Sequence, residues 1–372
     1  MIYLDHASTT PVLPEVWEAM RPYAIEHFGN PASAHAVGRK ARQALEDARE
    51  GIAGLLGASP DEVIFTSGAT EANNLAIFGL AGPPPGHILA SPIEHPCVTE
   101  PLKQLAARGF EVEYVPVGRD GVVSVDAFCD RVRPDTRLAV LMLVNHETGA
   151  VQPISILGSQ YSILHTDAAQ GAGKIPLSFH ELGVTSLSIS AHKFGGPKGV
   201  GALLVRKGVK LAPQLFGGHQ QQGRRPGTEN VPLAVGMAAA LGLSVSRMDA
   251  ATESLRRKWL SFRDPLVRTC WPIVVNGSKD GSPYIVNVSF PGCRADLLLM
   301  KLDLAGVACS TGSACSSGSL LPSPVLQAMG VPDEVLRSAM RFSFGPQTTD
   351  VELIEAARRI AESVNRLRET VH

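Results

Sequence analysis

Lys193 and Asp167 are the two residues whose types and positions most directly suggest chemistry. Lys193 follows an apolar, strand-like run at residues 184–189 and precedes a glycine-rich turn, and Asp167 ends another such run at 163–167. A lysine in a partly desolvated pocket loses basicity and can form a Schiff base with an aldehyde. Pyridoxal phosphate requires this amine together with an acid that keeps its pyridine nitrogen protonated. The pair predicts a site for that cofactor, whereas one lysine alone would more often be a surface residue.

The composition indicates a globular chain larger than one simple core. Its 372 residues favour two domains, and 44% hydrophobic with 19% charged residues is typical of a soluble protein. The net charge of -1 gives no electrostatic reason to expect nucleic acid or a membrane as a partner. The N-terminus does not resemble a signal peptide, and the six cysteines contain no CxxC pair. We therefore expect a reducing cytoplasm, no disulfides and no metal site.

Apolar strand-like runs alternate with helical patterns over most of the chain. A helix is predicted at residues 34–56, and strands at 63–66, 87–90, 111–116, 137–144, 163–167, 186–190 and 201–205. Near-continuous apolar strands are typical of a sheet that is covered on both faces. After about residue 241 the pattern changes to a smaller α+β region. The prediction is an α/β fold with a large domain at residues 15–245, and a small domain at 1–14 and 246–372.

Small and polar residues after the 63–66 run are typical of an anion site. Ala69 and Thr70 lie in a Gly-Ala-Thr turn that opens a helix, where free backbone N–H groups can bind a phosphate. Taken alone, an ordinary capped turn is the more common interpretation. Ser190 and His192 flank the lysine and add donors, and Thr228 is a further candidate. Together these residues could bind one dianionic phosphate.

Three other polar residues could contact a flat cofactor or its substrate. His95 follows a strand end, so its imidazole could stack on a ring and move protons near neutral pH. Gln170 follows Asp167 by three residues and could hydrogen-bond a ring hydroxyl. Arg341 lies in an apolar stretch, and its guanidinium suits a substrate carboxylate. The alternatives are a satisfied loop histidine for His95 and a structural ion pair for Arg341.

The segment 308–319 is rich in small residues and is predicted to be a mobile loop. Cys315 on this loop would be an accessible nucleophile, because thiol reactivity needs exposure and thiolate character. Cys309 follows apolar residues and is predicted to be buried and inert. A redox pair between the two cysteines is the less favoured alternative.

These motifs resemble those of the cysteine desulfurases of the NifS/IscS type, in the class V aminotransferase branch of fold-type I pyridoxal-phosphate enzymes. The resemblance runs almost from end to end, through residues 5–11, 29–31, 190–193, 225–228 and 341–343. It implies a large domain with a mainly parallel seven-stranded sheet and a small domain that carries the catalytic cysteine loop. The joint occurrence of these motifs in the same order makes the resemblance highly specific.

The resemblance also implies a role for each matching residue. At the cofactor ring, Lys193 would be the cofactor lysine, Asp167 the pyridinium partner and Gln170 the contact to the ring oxygen, while His95 would stack on the ring and transfer protons. The phosphate would be bound by Ala69, Thr70, Ser190 and His192, and by Thr228 from the other subunit of a homodimer. Asn30 and Arg341 would bind the substrate carboxylate, and Cys315 would be the sulfur-accepting nucleophile.

This sequence departs from the family pattern in three places. His146 stands where the family usually has an asparagine near the ring oxygen, and protonation of its imidazole would perturb the cofactor. Residues 152–164 are shorter than usual and leave little room for the expected helix. Residues 217–222 lack the common Glu-Arg pair. The first departure affects the expected pH optimum, and the other two affect local structure and the dimer surface.

The implied reaction converts L-cysteine to L-alanine and leaves a persulfide on Cys315. The sulfur would pass to an iron–sulfur scaffold or another acceptor. A selenocysteine lyase or another β-lyase would share the same steps, and an aminotransferase would need no loop cysteine. A catalytically idle scaffold that binds sulfur carriers is a third alternative, and the presence of Lys193, Asp167 and Cys315 argues against it.

Overall fold

The computed structural model describes residues 1–161, 164–312 and 322–369. The helices in these ranges are α1 (Pro14–Ile25), α2 (Ala36–Leu55), α3 (Ala69–Leu80), α4 (Pro96–Ala107), α5 (Val125–Cys129), α6 (Ile154–Gln160), α7 (Phe179–Leu182), α8 (Val231–Ser246), α9 (Met248–Thr269), α10 (Ala295–Leu304), α11 (Pro324–Ala328), α12 (Asp333–Leu336) and α13 (Asp350–Glu369). The strands are β1 (Ile2–Tyr3), β2 (Val63–Thr66), β3 (Gly86–Ala90), β4 (Phe110–Tyr114), β5 (Thr136–Val140), β6 (Leu164–Asp167), β7 (Ser186–Ser190), β8 (Gly201–Val205), β9 (Val274–Asn276), β10 (Ile285–Ser289), β11 (Val307–Ala308) and β12 (Ala339–Ser343).

Seven strands form the main sheet, in the order β2-β8-β7-β6-β5-β3-β4. β8 is antiparallel to both of its neighbours, and the other pairs are parallel. Alternate strand residues pack on opposite faces: Phe65 joins the core under α2 and α8, and Ile64 joins a cluster with α3. Both faces are therefore covered, which explains the near-continuous apolar strands. The predicted α/β class with a mainly parallel seven-stranded sheet is confirmed.

The order of the strands brings the two predicted chemical residues to one edge of this sheet. β6 and β7 are parallel neighbours, with Asp167 in register with Ser188. Asp167 is the last residue of β6, and Lys193 ends a short 3-10 helix, Ala191–Lys193, that directly follows β7. Open parallel sheets bind ligands outside the carboxyl ends of their strands. The fold thus creates the expected place for a site.

A second core forms around the smaller sheet β12-β10-β9 and the parallel pair β1-β11. Phe262, Phe342 and Phe344 are fully buried in it, together with Leu4. Leu4 belongs to the N-terminal arm, the residues 1–13 that precede α1. Because this core combines the first residues with those after Met248, its make-up supports the predicted small domain. The division at residues 14–15 and 245–246 stays a prediction.

Helices α8 and α9 join the two cores at a bend of 65°. α8 packs Met237 and Leu241 into the core of the main sheet, and α9 packs Leu255 and Phe262 into the second core. In the three described ranges, no single helix is long and apolar enough to cross a membrane. Only the bent pair α8 and α9, taken together, has the length and composition for it.

The expectation that residues 152–164 leave little room for a helix is wrong. Two turns, α6, fit there and bury Ile154 and Leu157. Gly158 makes this possible, because a Cβ on it would lie 2.0 Å from the carbonyl oxygen of Leu182. A strand was also predicted to run to residue 144, but β5 ends at Val140, where its ladder with β3 ends.

Candidate active site

Lys193 is held by the N-terminal arm of the chain. Its Nζ donates hydrogen bonds to the backbone carbonyls of Ala7, at 2.6 Å, and Ser8, at 2.9 Å. The turn that follows needs a glycine, because Gly195 has a φ of 83° and a Cβ there would lie 2.8 Å from Cγ of Leu13. The amine is therefore fixed at the carboxyl edge of the sheet by contacts remote in sequence.

Two nitrogen donors orient Asp167, and the thiol of Cys97 adds a third, weaker hydrogen bond, with 3.8 Å between its Sγ and Oδ2 of Asp167. Its Oδ1 accepts from the backbone N–H of Ala169 at 2.9 Å, and its Oδ2 accepts from Nδ2 of Asn73 at 2.8 Å. The amide oxygen of Asn73 in turn accepts from the hydroxyl of Ser188 at 2.5 Å. These bonds fix the direction of the carboxylate before any ligand binds.

His165 completes the support beneath Asp167. Its Nε2 lies 2.9 Å from Oδ1 of Asn73, and its Nδ1 lies 2.8 Å from the hydroxyl of Ser186. The amide oxygen can only accept, so Nε2 carries the proton and Nδ1 accepts from Ser186. Burial lowers the pKa of His165 to about 4. The imidazole is therefore neutral at neutral pH, and the direction of each hydrogen bond is defined.

A cavity of about 340 Å³ collects most of the predicted site residues. The predicted residues in its lining are Ala69, Thr70, His95, His146, Asp167, Gln170, Ser190, His192, Lys193 and Arg341. Asn30 and Thr228 are exposed and are not part of this lining. Cys315 lies outside the described residues. The individual roles stay predictions.

The start of α3 forms one wall of the cavity. Gly68, Ala69 and Thr70 line it, and within the described chain no side chain caps this helix, so first-turn N–H groups are available to a ligand. β8 packs closely beneath, because a Cβ on Gly201 would lie 2.7 Å from Cα of Gly68. Ser190 adds a hydroxyl to the same wall. This geometry suits a phosphate.

His192 lies on the same side of the cavity and is neutral. Burial lowers its pKa to about 4, and the positive charges of Lys193, Lys198 and Lys174 contribute to that lowering. Its Nδ1 lies 3.1 Å from the hydroxyl of Thr9. His192 can therefore contribute a hydrogen bond to an anion, without contributing a full charge.

His95 immediately precedes α4 and caps it. Its Nδ1 accepts from the backbone N–H of Cys97 at 3.2 Å. Because a backbone N–H only donates, the proton of the neutral imidazole must be on Nε2. Burial lowers the pKa of His95, and the negative charge of Asp167 opposes that shift in part. His95 therefore presents an N–H donor at neutral pH, and taking up a second proton would break its capping bond.

His146 is buried and packs edge-on against His95, with 5.0 Å between the ring centroids. Burial lowers its pKa well below the ordinary value, and the positive charges of Arg341 and Lys193 act in the same direction, as a protonated His95 would. The protonation expected to perturb the cofactor is therefore suppressed at neutral pH. Its Nδ1 is buried and has no hydrogen-bond partner among the described residues.

Arg341 lies in β12 and reaches the cavity from the second core. Its Nη2 donates to Oδ1 of Asp5 at 2.9 Å and to the hydroxyl of Ser8 at 2.7 Å, and its Nη1 donates to the carbonyl of His146 at 3.1 Å. Its buried Nε has no partner within the described ranges. The structural ion pair that was the alternative interpretation is thus present, in a side chain that also lines the cavity.

Cys97 and Cys309 are poor nucleophiles. Cys97 lines the cavity, and burial raises its pKa above the ordinary value. Cys309 is partly buried, and burial raises its pKa to about 12. Both are therefore protonated at neutral pH. This agrees with the prediction that Cys309 is inert, but Cys309 is only partly buried where full burial was predicted. All five cysteines in the described part of the chain are free thiols.

Several residues at the site were not identified from the sequence: Asn73, Cys97, His165, Lys174, Ala7 and Ser8. Only Asn73 carries a recognisable signal, since it lies beside Ala72 on the buried face of α3. A polar side chain on such a face must find a buried partner. The others depend on contacts between distant segments, which spacing alone does not reveal.

The sheet, with a lysine and an aspartate at adjacent strand ends, defines the class of fold-type I pyridoxal-phosphate enzymes. The chain belongs to the family described as aminotransferase class V, whose profile matches residues 2–355.

Similar proteins narrow the class further. The chain is 45% identical over 374 residues to the cysteine desulfurase IscS of Dictyoglomus turgidum, covering 98% of this chain and 95% of the relative. It is 41% identical over 379 residues to the cysteine desulfurase IscS of Methanosarcina thermophila, covering 99% of this chain and 93% of that relative. A solved NifS-like protein superposes with a TM-score of 0.92 at 35% identity, covering 98% of this chain and 99% of the other.

Enzymes of this family use pyridoxal phosphate, and the cavity fits that group. Within this lining, Lys193 would supply the amine, Asp167 a partner for the pyridine nitrogen, and the start of α3 a phosphate site. The unpartnered Nδ1 of His146 and Nε of Arg341 belong to side chains that line the same cavity. Buried polar atoms without partners are rare, so a polar ligand is expected to complete this lining.

Proposed function

We propose that this chain is a pyridoxal-phosphate-dependent cysteine desulfurase, which converts L-cysteine to L-alanine and stores the sulfur as a persulfide on Cys315. The observation that carries this proposal is that Lys193, Asp167 and His95 line one cavity together. The similarity to named cysteine desulfurases supports L-cysteine as the substrate.

Lys193 and Asp167 act on different groups of the cofactor, the aldehyde and the pyridine nitrogen. Asp167, held by Asn73 and Ala169, keeps a proton on the pyridine nitrogen. Lys193 holds the cofactor aldehyde and then moves the α-proton of the substrate. When bound, pyridoxal phosphate supplies the electron sink that makes this α-proton acidic.

Other residues of the cavity bind and orient. Ala69, Thr70, Ser190 and His192 would hold the phosphate through neutral hydrogen-bond donors, and Gln170 and His146, which line the same cavity, would contact the ring. Arg341 and Asn30 bind the substrate carboxylate. His95 stacks on the ring and handles the proton of the incoming thiol or the leaving groups. Its neutral imidazole must first take up a proton at Nδ1, which breaks the capping bond, before it can give one up at Nε2.

Sulfur transfer needs a thiolate on Cys315. The thiolate attacks the substrate sulfur, so an S–S bond forms while the bond between the β-carbon and sulfur breaks. The electron pair of that bond passes to the carbon, which becomes the methyl group of alanine after protonation. Substrate and thiol thus give alanine and a persulfide, with no further oxidant or reductant.

We further propose that the enzyme is a homodimer in the cytoplasm. It would pass its sulfur to an iron–sulfur scaffold or another sulfur acceptor. Thr228 is exposed and separate from the cavity of its own chain, which supports delivery of this residue to a second copy. Neither a nucleic acid nor a membrane is part of the proposed function.

The cofactor lysine provides the first test, because the same loop contains a matched control. Lys193→Ala should lower alanine formation from L-cysteine at least about a hundredfold, as expected for loss of a proton-transfer residue. Lys198→Ala, at an exposed position five residues later, should change it less than about twofold. Formation of a keto acid in place of alanine would instead indicate an aminotransferase.

A further inference from the structure

Lys174 is a second lysine beside the cofactor cavity, and the proposed reaction does not use it. Its side chain is only 6% exposed. It lines a smaller cavity of about 90 Å³ that shares Ala7 and Lys193 with the larger one. Burial lowers the pKa of Lys174 to about 7, and the charges of Lys193 and Arg341 contribute. A buried amine at this position needs an explanation, because burying it is costly.

The contacts of Lys174 lead to the cofactor lysine through one series of hydrogen bonds. Its Nζ donates to Oε1 of Gln170 at 3.1 Å and lies 5.5 Å from the ring centroid of Tyr284. Nε2 of Gln170 donates to the carbonyl of Ala7 at 2.8 Å. The same carbonyl accepts from Nζ of Lys193 at 2.6 Å. Lys174 and Lys193 are thus connected through Gln170 and Ala7.

These bonds allow the carboxamide of Gln170 only one orientation. The ammonium of Lys174 can only donate, and the carbonyl of Ala7 can only accept. A flipped amide would place two donors together at Lys174 and two acceptors together at Ala7. The NH₂ group of Gln170 therefore faces the arm that holds Lys193, and its oxygen faces away.

We propose that Lys174 is a positioning residue, which orients the carboxamide of Gln170 so that its NH₂ group is presented to the bound cofactor. This inference rests on the proposed function, because the contact between Gln170 and the ring oxygen is part of that proposal. Lys174 acts only through Gln170. Donating to an anionic ring oxygen favours its deprotonated form and strengthens cofactor binding.

Other charged or titratable groups near Lys174 affect the conditions of a test. They are His6, Tyr284, Lys193, His192, Arg247 and Arg341. Burial lowers the pKa of His6, and it lowers the pKa of His192 to about 4, so His192 is neutral at pH 6.5. Lys174 itself is mostly charged at that pH, so measurements at pH 6.5 isolate its donor function.

A double-mutant cycle tests the proposal with two measurements on each protein. The four proteins are the unmodified chain, Lys174→Met, Gln170→Met and the double variant. The first measurement is the dissociation constant of pyridoxal phosphate from the apoprotein, and the second is the ratio of the visible absorption bands of the bound cofactor. With Gln170 present, Lys174→Met should weaken binding about five- to tenfold and shift the band ratio. In the Gln170→Met background, it should change the dissociation constant less than about twofold.

Two further variants separate positioning from loss of a buried charge. Lys174→Arg keeps a charged donor, and the adjacent 90 Å³ cavity gives it room, so it should restore the band ratio. Lys258 is also buried and donates to the carbonyl of Pro346 at 3.0 Å. Lys258→Met should leave cofactor affinity unchanged, and urea unfolding checks that each variant is folded.

Equal effects of Lys174→Met in both backgrounds would overturn the proposal, because Lys174 would then act independently of Gln170. An unchanged dissociation constant and band ratio would also overturn it. Alanine formation by the unmodified protein is measured separately. Failure of the positioning role is therefore distinguishable from failure of the desulfurase function.

Discussion

Neutral hydrogen-bonded side chains, and not a second charge, orient the carboxylate of Asp167. The bonds run from Ser186 through His165 and Asn73 to Oδ2 of Asp167, and the neutral imidazole fixes the direction of each one. A neutral support leaves the negative charge of Asp167 available for a pyridine nitrogen. An arginine in the place of Asn73 would compete for that charge.

The amide of Asn73 gives a direct test of this support. Asn73→Ala removes a donor to Asp167 and leaves buried partners unsatisfied, so the free energy of unfolding should fall by about 1–3 kcal/mol. Affinity for pyridoxal phosphate should also fall. Urea unfolding and a cofactor titration measure the two effects. Asn74→Ala is the control, because Asn74 donates to the carbonyl of Thr70 on the exposed side of α3. Equal losses in the two variants would contradict the account.

His165 should make the stability of the protein depend on pH. Its pKa is about 4 when folded, against an ordinary 6.5. Below pH 6.5 the unfolded chain therefore binds a proton that the folded protein does not, and stability falls as the pH drops towards 4. At pH 5 the low pKa of this residue alone lowers the free energy of unfolding by about 2 kcal/mol.

His165→Gln should reduce the loss of stability between pH 7 and pH 5, measured by urea unfolding of the apoprotein. Comparing the variant with its parent is necessary, because two other buried groups act in the opposite direction. The pKa values of Glu94 and Glu147 are raised to about 7 by burial, so the folded protein takes up their protons before the unfolded chain does. Their contribution to the free energy of unfolding therefore grows as the pH falls from 7 to 5. Identical losses in the variant and its parent would show that His165 does not titrate as proposed.

At the scale of elements, the sequence predicts which residues meet at the sheet edge but not what holds them. Apolar runs and their ends locate Asp167 and Lys193, because parallel strands bring their carboxyl ends together. The carbonyls of Ala7 and Ser8 at Lys193, and the ion pair of Arg341 with Asp5, join segments far apart in the chain. No periodicity records such contacts.

The unexpected helix α6 depends on one close approach of two helices. Gly158→Ala would place its Cβ 2.0 Å from the carbonyl oxygen of Leu182, so one of the helices must shift. We expect a loss of about 1–3 kcal/mol in the free energy of unfolding. In α2, Gly51 is a matched control, since a Cβ at that position would have none of the described atoms within 4 Å. Gly51→Ala should stabilise the protein by about 0.5–1 kcal/mol. A neutral effect of Gly158→Ala in urea unfolding would contradict this packing.

At the scale of the whole molecule, the N-terminal arm connects the two cores at the site. Its first residues pair with β11 in the second core, and Asp5 binds Arg341. Two residues later, the carbonyls of Ala7 and Ser8 bind Lys193 on the main sheet. Arg341 and Lys193 are thus placed relative to each other by one short stretch of the arm.

The central claim is that sulfur from L-cysteine reaches Cys315 in the same turnover that produces alanine. The most direct measurement is one turnover of the cofactor-loaded protein with L-cysteine, followed by quantification of alanine and mass spectrometry of the cysteine-containing peptides. We predict equal amounts of alanine and of a peptide that carries one added sulfur at Cys315. Cys309→Ala should behave like the parent, and Cys315→Ala should form neither product. Alanine formed equally by Cys315→Ala and its parent would contradict the account.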